Sequence, residues 1–180
     1  MLIAKQKRTE NIAEYLIYMW QVEDIIRAHN FDMEQINRNI ISKFNVPDKQ
    51  RNEMQFWYEN LIEMMHLEQV EKSGHIQPLK NIITDLTTLH IKLLNSTLHL
   101  DYRTKYSEAV GYIAESHSKM QGTAQTEIEV CLNMLYGILL LKLNKKSVSD
   151  QTMFAISKIS AMLALLAHKY KQYEKDELEF

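Results

Sequence analysis

Apolar residues recur along this chain at three- and four-residue intervals, the spacing that lines one face of an α-helix. Nowhere do four to eight β-branched or aromatic residues alternate with polar ones between turn clusters, as a strand requires. The pattern predicts an all-α fold, a single-domain bundle of six or seven helices. The first helix is expected from about Thr9 to Ala28, with Ile12, Tyr15, Leu16, Met19, Val22 and Ile26 on one face. Asp32 with Gln35 forms a capping-box start for a short second helix ending near Phe44. Pro47 and Asp48 suit the first turn of a third, which ends before Gly74. A fourth follows Pro78, striped by Leu79, Ile82, Ile83, Leu86, Leu93 and Leu94, and a fifth spans about Tyr102 to Met120, stopped by Gly122.

The stretch Val130 to Leu143 (VCLNMLYGILLLKL) departs from this pattern, because it is apolar round almost its whole circumference. A helix without a polar face is expected to be covered on all sides. At about 20 apolar residues per bilayer crossing, the run is too short to span a membrane, so it is predicted to be the central helix of the bundle. Thr126 with Glu129 supplies a capping box near its start, which lies as early as Thr123. A seventh helix begins near Ser149, where Ser157, Ser160, Ala161, Ala164 and Ala167 form a ridge of small side chains. Gly137 opposite that ridge would permit close packing, and the short link Asn144 to Val148 predicts an antiparallel hairpin of these last two helices. Residues 1–180 form one expected domain, with 171–180 as a flexible tail.

Composition narrows the class of function. The 21 basic and 23 acidic residues are mixed along the chain and leave a net charge of -2, which gives no electrostatic footprint for nucleic acid or an anionic membrane surface. The single cysteine, Cys131, lies inside the apolar run, has no internal partner and is expected to be a small buried hydrophobe. The start, Met1-Leu-Ile-Ala-Lys-Gln-Lys-Arg, has basic residues but turns polar without the apolar stretch and small-residue cleavage site of a signal peptide. A cytoplasmic protein is expected.

Polar groups inside apolar stripes mark candidate sites, since burying an ionisable side chain is costly unless it is paired or used. Seven helical positions return within about 20° of the same direction, so Glu23 lies beneath Leu16, Glu68 beneath Leu61, His90 between Leu86 and Leu93, and His117 beneath Val110. Two carboxylates and two imidazoles on inward faces have the chemistry of a metal or acid-base site. Plainer readings stand beside it: ion pairs from Glu23 to Arg27 and from Glu68 to Lys72, and core-edge histidines satisfied by a hydroxyl or carbonyl. The sequence Glu63-Met-Met-His66 has the spacing of a di-iron half-site but no second copy, and it falls with Glu59 on the face opposite Leu61. Cys131 among leucines is expected to be inert, and no glycine-rich loop follows a strand to cradle phosphate. No motif calls for a cofactor or a metal.

Large rings gather on two helices: Tyr15, Tyr18 and Trp20 on the first, Phe56, Trp57 and Tyr58 on the third. Beside Glu23, Asp24 and Glu59 they have the composition of a cation or organic-base pocket, of a partner surface, or of ordinary core.

The blocks Leu2-Ile-Ala-Lys-Gln-Lys-Arg, Glu10-Asn-Ile-Ala-Glu-Tyr-Leu and Met19-Trp-Gln-Val-Glu-Asp resemble an uncharacterised bacterial domain-of-unknown-function family of small helical proteins. Trp57-Tyr-Glu-Asn-Leu-Ile, Leu135-Tyr-Gly and Ile159-Ser carry the resemblance over nearly the whole chain. It implies a single-domain, cytoplasmic, all-helical protein and brings no catalytic residues with it. The leading expectation is a non-enzymatic bundle that acts through protein–protein contact, forming a homo-oligomer. The alternative is a small-molecule or metal-binding bundle, an enzyme in its strongest form. Its site would hold Glu23, Glu68, His90 and His117, with Tyr15, Trp20, Trp57 and Tyr58 around the ligand.

Overall fold

A computed structural model describes residues 2–120 and 124–180 and is all-α, with eight α-helices and one 3₁₀ turn among the described residues. Helix α1 (Leu2–Glu10) is separated from α2 (Ile12–Ala28) by Asn11. The single first helix expected from Thr9 therefore gives way to two. Asn11 adopts an extended conformation at φ -154°, and its Oδ1 accepts hydrogen bonds from the amides of Ala13 (3.0 Å) and Glu14 (3.2 Å), so the residue acts as an N-cap. Helix α3 (Met33–Asn39) starts at Asp32, which accepts from Glu34 and Gln35 amides, and runs into the 3₁₀ turn Ile41–Lys43. Pro47 caps α4 (Asp48–Leu67), which stops at Glu68, short of Gly74.

Helix α5 (Gln77–Asn95) has Pro78 in its first turn, where a missing N–H costs nothing. Helix α6 (Leu100–Lys119) follows after a short link, and α7 (Glu127–Leu143) begins at the capping residue Thr126, whose hydroxyl accepts from the Glu129 amide. Gly122 and Thr123, the expected stop and the earliest expected start, lie outside the described residues. Ser149 caps α8 (Asp150–Tyr173).

Helix α7 is the central element. It packs against α2, α5, α6 and α8, while α6 lies along α8 and α2 crosses both α7 and α8. Where these helices meet, Leu16, Ile26, Leu79, Leu86, Leu93, Ile128, Leu132, Ile159 and Leu166 are almost wholly buried. Central position does not cover the whole helix, however. Ile128, Val130, Cys131 and Leu132 are fully enclosed, but Met134, Leu135, Tyr136, Leu139 and Leu141 are half-buried, and Leu140 and Leu143 are 36% and 61% exposed. The expectation of burial on all sides fails here: beyond Leu132 only Ile138 is buried, and the remaining apolar side chains of α7 are half-buried or exposed.

The expected close approach at Gly137 is not made, since nothing lies within 4 Å of where its Cβ would stand. The small ridge of α8 faces outward, with Ser157, Ser160, Ala161 and Ala164 exposed and only Ala167 buried. Beyond α8 the chain folds back: Leu178 packs on the core, the Glu179 carbonyl accepts from His99 Nε2 at 2.8 Å, and the Phe180 ring meets His99 edge-on. Among the described residues no helix is long and apolar enough to cross a membrane.

Candidate functional site

The first turn of α5 offers unpaired amides and the positive end of a helix dipole, and no side chain of its own caps it. Two carboxylates from elsewhere do so. Glu23 of α2, completely buried, accepts the Ile76 amide at 2.9 Å, and Glu68 accepts the next amide, Gln77, at 2.5 Å. Two of the four predicted inward residues thus converge on consecutive N–H groups. The second oxygen of Glu23 accepts from His75 Nδ1 at 2.5 Å, so both of its oxygens are satisfied without the expected partner Arg27.

Arg27 is used differently. Its guanidinium pairs with Asp24 at 2.9 Å and donates to the carbonyls of Val70 (3.0 Å) and Gly74. Gly74 stands at φ +87°, a left-handed conformation that glycine adopts without strain. The connection from α4 to α5 is thereby clamped to α2 at Glu23 and at Arg27. Lys72, the expected partner of Glu68, is exposed.

His75 is held in a fixed pose. Its ring stacks on Trp20 with centroids 4.3 Å apart and planes 9° from parallel, and Trp20 in turn meets Tyr136 edge-on. The Tyr136 hydroxyl donates to Asp24 at 2.5 Å, closing a chain of contacts from α2 through the loop to α7. The His75 side chain, 24% exposed, forms one wall of a cleft of about 240 Å³ between the start of α5 and the start of α7. Lys80, Thr84, Thr87, Thr126 and Glu129 line the rest of it.

His90 forms a second, closed cluster. The Tyr102 hydroxyl donates to Nδ1 at 2.7 Å, which leaves Nε2–H facing Glu127 at 3.3 Å, and Tyr106 donates to the other Glu127 oxygen at 3.1 Å. Burial lowers the His90 pKa from its ordinary value, with Glu127 acting in the opposite direction. The plain reading of a histidine satisfied by a hydroxyl describes its contact with Tyr102. The outcome for His117 differs, because its side chain is exposed. Glu23, Glu68, His90 and His117 consequently do not assemble into one site, and among the described residues no group of three or more His, Cys, Asp or Glu side chains is placed to hold a metal.

The predicted aromatic residues have separate surroundings. Arg8 lies over the Tyr15 ring at 5.6 Å, Trp20 lies under His75, and Trp57 meets the buried Tyr58 edge-on at 5.1 Å. Burial pushes the Tyr58 hydroxyl up to about 12. Glu59, Glu63 and His66 are exposed on α4. The residues that matter most and were not singled out are His75, Tyr102, Tyr106 and Glu127. Only Glu127 carried a local signal, as the acid in the first turn after a Thr cap.

The other unusual surface is the second half of α7. With Met120 and Ile156 it forms an open groove lined by Met134, Gly137, Leu140 and Leu141. Phe154, 56% exposed, stands nearby on α8 with its ring edge-on to Tyr112. Lys142, Lys145 and Lys146 are exposed around the end of α7.

A family model described as a domain of unknown function, DUF4924, matches residues 1–177. No curated protein and no solved structure matches the chain.

Proposed function

We propose, for a chain that belongs to the DUF4924 family and takes no activity from that membership, that it is a protein-interaction module which pairs with a second copy of itself. The observation that carries this reading is the uncovered apolar half of α7, where Leu140 and Leu143 stand open beside half-buried Met134, Leu139 and Leu141. Contiguous apolar surface of this kind on a folded chain marks an interaction site more often than an accident of packing.

Charge favours a second copy over an unrelated partner. Residues 142–150 carry Lys142, Lys145 and Lys146 against Asp150, whereas residues 171–179 carry Glu174, Asp176, Glu177 and Glu179 against Lys171 and Lys175. Between Phe154 and His168 the exposed residues of α8 are Phe, Ser, Ser, Ala, Ala and His, none of them Lys, Arg, Asp or Glu. Antiparallel pairing along this face sets each net-basic end against the other copy's net-acidic end, the complementarity that a two-fold, isologous contact can use. The lone buried cysteine suits a reducing compartment, and we place the role in the cytoplasm.

Sedimentation velocity at micromolar concentration tests the reading. The unmodified protein is expected to sediment as a dimer that weakens as salt rises. The double variant Leu140→Glu, Leu143→Glu should sediment as a monomer with an unchanged melting temperature. A wild-type chain that remains monomeric at these concentrations overturns the proposal.

A further inference from the structure

The cleft beside His75 is built from parts whose binding capacity is unspent. Glu23 accepts a hydrogen bond from His75 Nδ1–H, and Trp20 fixes the ring plane, so the orientation of the imidazole is set before anything binds. A carboxylate that holds one ring nitrogen leaves the other as a directed acceptor. Among the described residues Nε2 has no hydrogen-bond partner. Lys80 and Glu129 line the same cleft and form no ion pair there, with each other or with another described residue. One Glu129 oxygen accepts the Gln125 amide at 2.7 Å, and among the described residues the other has no hydrogen-bond partner. The Thr87 and Thr126 hydroxyls in the cleft wall are already engaged, Thr87 with the Ile83 carbonyl and Thr126 with the Glu129 amide.

An acceptor nitrogen, a carboxylate oxygen and an ammonium, unpartnered among the described residues, around about 240 Å³ match a small molecule that carries both charges. A bare anion would meet Glu129, and a bare cation would meet Lys80. We propose that this cleft binds a free α-amino acid, its ammonium between His75 Nε2 and Glu129 and its carboxylate on Lys80. This proposal is independent of self-association, because the cleft lies between α5 and α7 at the enclosed end of α7.

The test is titration of the full chain with each of the common L-amino acids at millimolar concentration, followed through the imidazole nitrogen signals of His75 and by calorimetry. At least one amino acid should shift the Nε2 signal and saturate. Lys80→Ala and Glu129→Gln are exposed or half-exposed changes that leave the fold intact by circular dichroism. Each removes a charged contact and should weaken binding roughly tenfold or more. Acetate and methylamine alone should bind at least tenfold more weakly than the amino acid. The proposal is overturned by a silent His75 signal across the whole set, by binding that both variants leave unchanged, or by acetate or methylamine binding as well as the zwitterion.

Discussion

Between Ile128 and Leu132 the apolar side chains of α7 are wholly buried, whereas further along the same helix Leu140 and Leu143 stand open to solvent. Both halves are mainly aliphatic, the first interrupted by Glu129 and Asn133 and the second by Tyr136, Gly137 and Lys142. Their surroundings separate them. The first half is enclosed by α5 and α6, and the His90, Tyr102 and Glu127 bonds close over it at its amino end. The second half meets Trp20 of α2 through Tyr136 and borders an open groove shared with Met120 and Ile156. Hydrophobicity determines how much a side chain gains from being covered, and the arrangement of neighbouring helices determines whether it is.

The widest separation of the two halves should appear in thiol chemistry. Burial raises the Cys131 pKa well above the ordinary thiol range, so the reactive thiolate is scarce and the sulfur is shielded. Alkylation of the native protein is expected to follow global opening and to run on the order of a thousandfold or more slower than in denaturant. In the monomer, Leu140→Cys should react at close to the unfolded rate. Rapid modification of Cys131 in the folded chain would erase the contrast.

Truncation gives the next largest effect. Leu132→Ala leaves a cavity in the enclosed half and should cost about 3–5 kcal/mol in urea denaturation. Leu140→Ala should change stability by no more than about 0.5 kcal/mol when measured on the monomer. Comparable losses at the two positions would show that the outer half is covered after all.

The smallest effect is in the pH dependence of the polar closure over the inner half. Burial holds the His90 pKa below its ordinary value, so below about pH 6.5 the unfolded chain takes up a proton that the native histidine resists. Stability from this group is present in full above that pH and declines as pH falls through the interval down to the native pKa. His90→Gln should flatten this part of the profile, measured as melting temperature against pH. A profile identical to that of the unmodified protein would remove His90 from the closure.

Much of the fold was legible because helix signals are local. Asp32, Thr126 and Ser149 cap the helices that the pattern assigns to them. The break at Asn11 was missed because the apolar spacing continues through it. Glu23 was legible as inward-facing from its position beneath Leu16, but its partner was not: His75 lies 52 residues away in a loop, and loops carry no periodicity from which a facing residue can be read. Glu68 was placed on the face of a helix that had already ended. His117 was placed inward by reference to Val110, which is itself half-buried, while the buried face of α6 is set by Tyr102, Ala109 and Ile113. The opening at the end of α7 was illegible for a further reason: it depends on how the other helices are arranged around it in space, which local periodicity does not encode.

Helix α2, near the amino end, packs against α7 and α8, the last two helices of the chain. A polypeptide emerging from the ribosome in sequence order therefore presents the Leu16, Trp20 and Ile26 side of α2 long before its cover has been synthesised. Vectorial folding, in which each segment settles as it appears, leaves this core incomplete until α8 arrives. The nascent chain must keep that apolar side occupied in the meantime, by transient contacts of its own or by a chaperone.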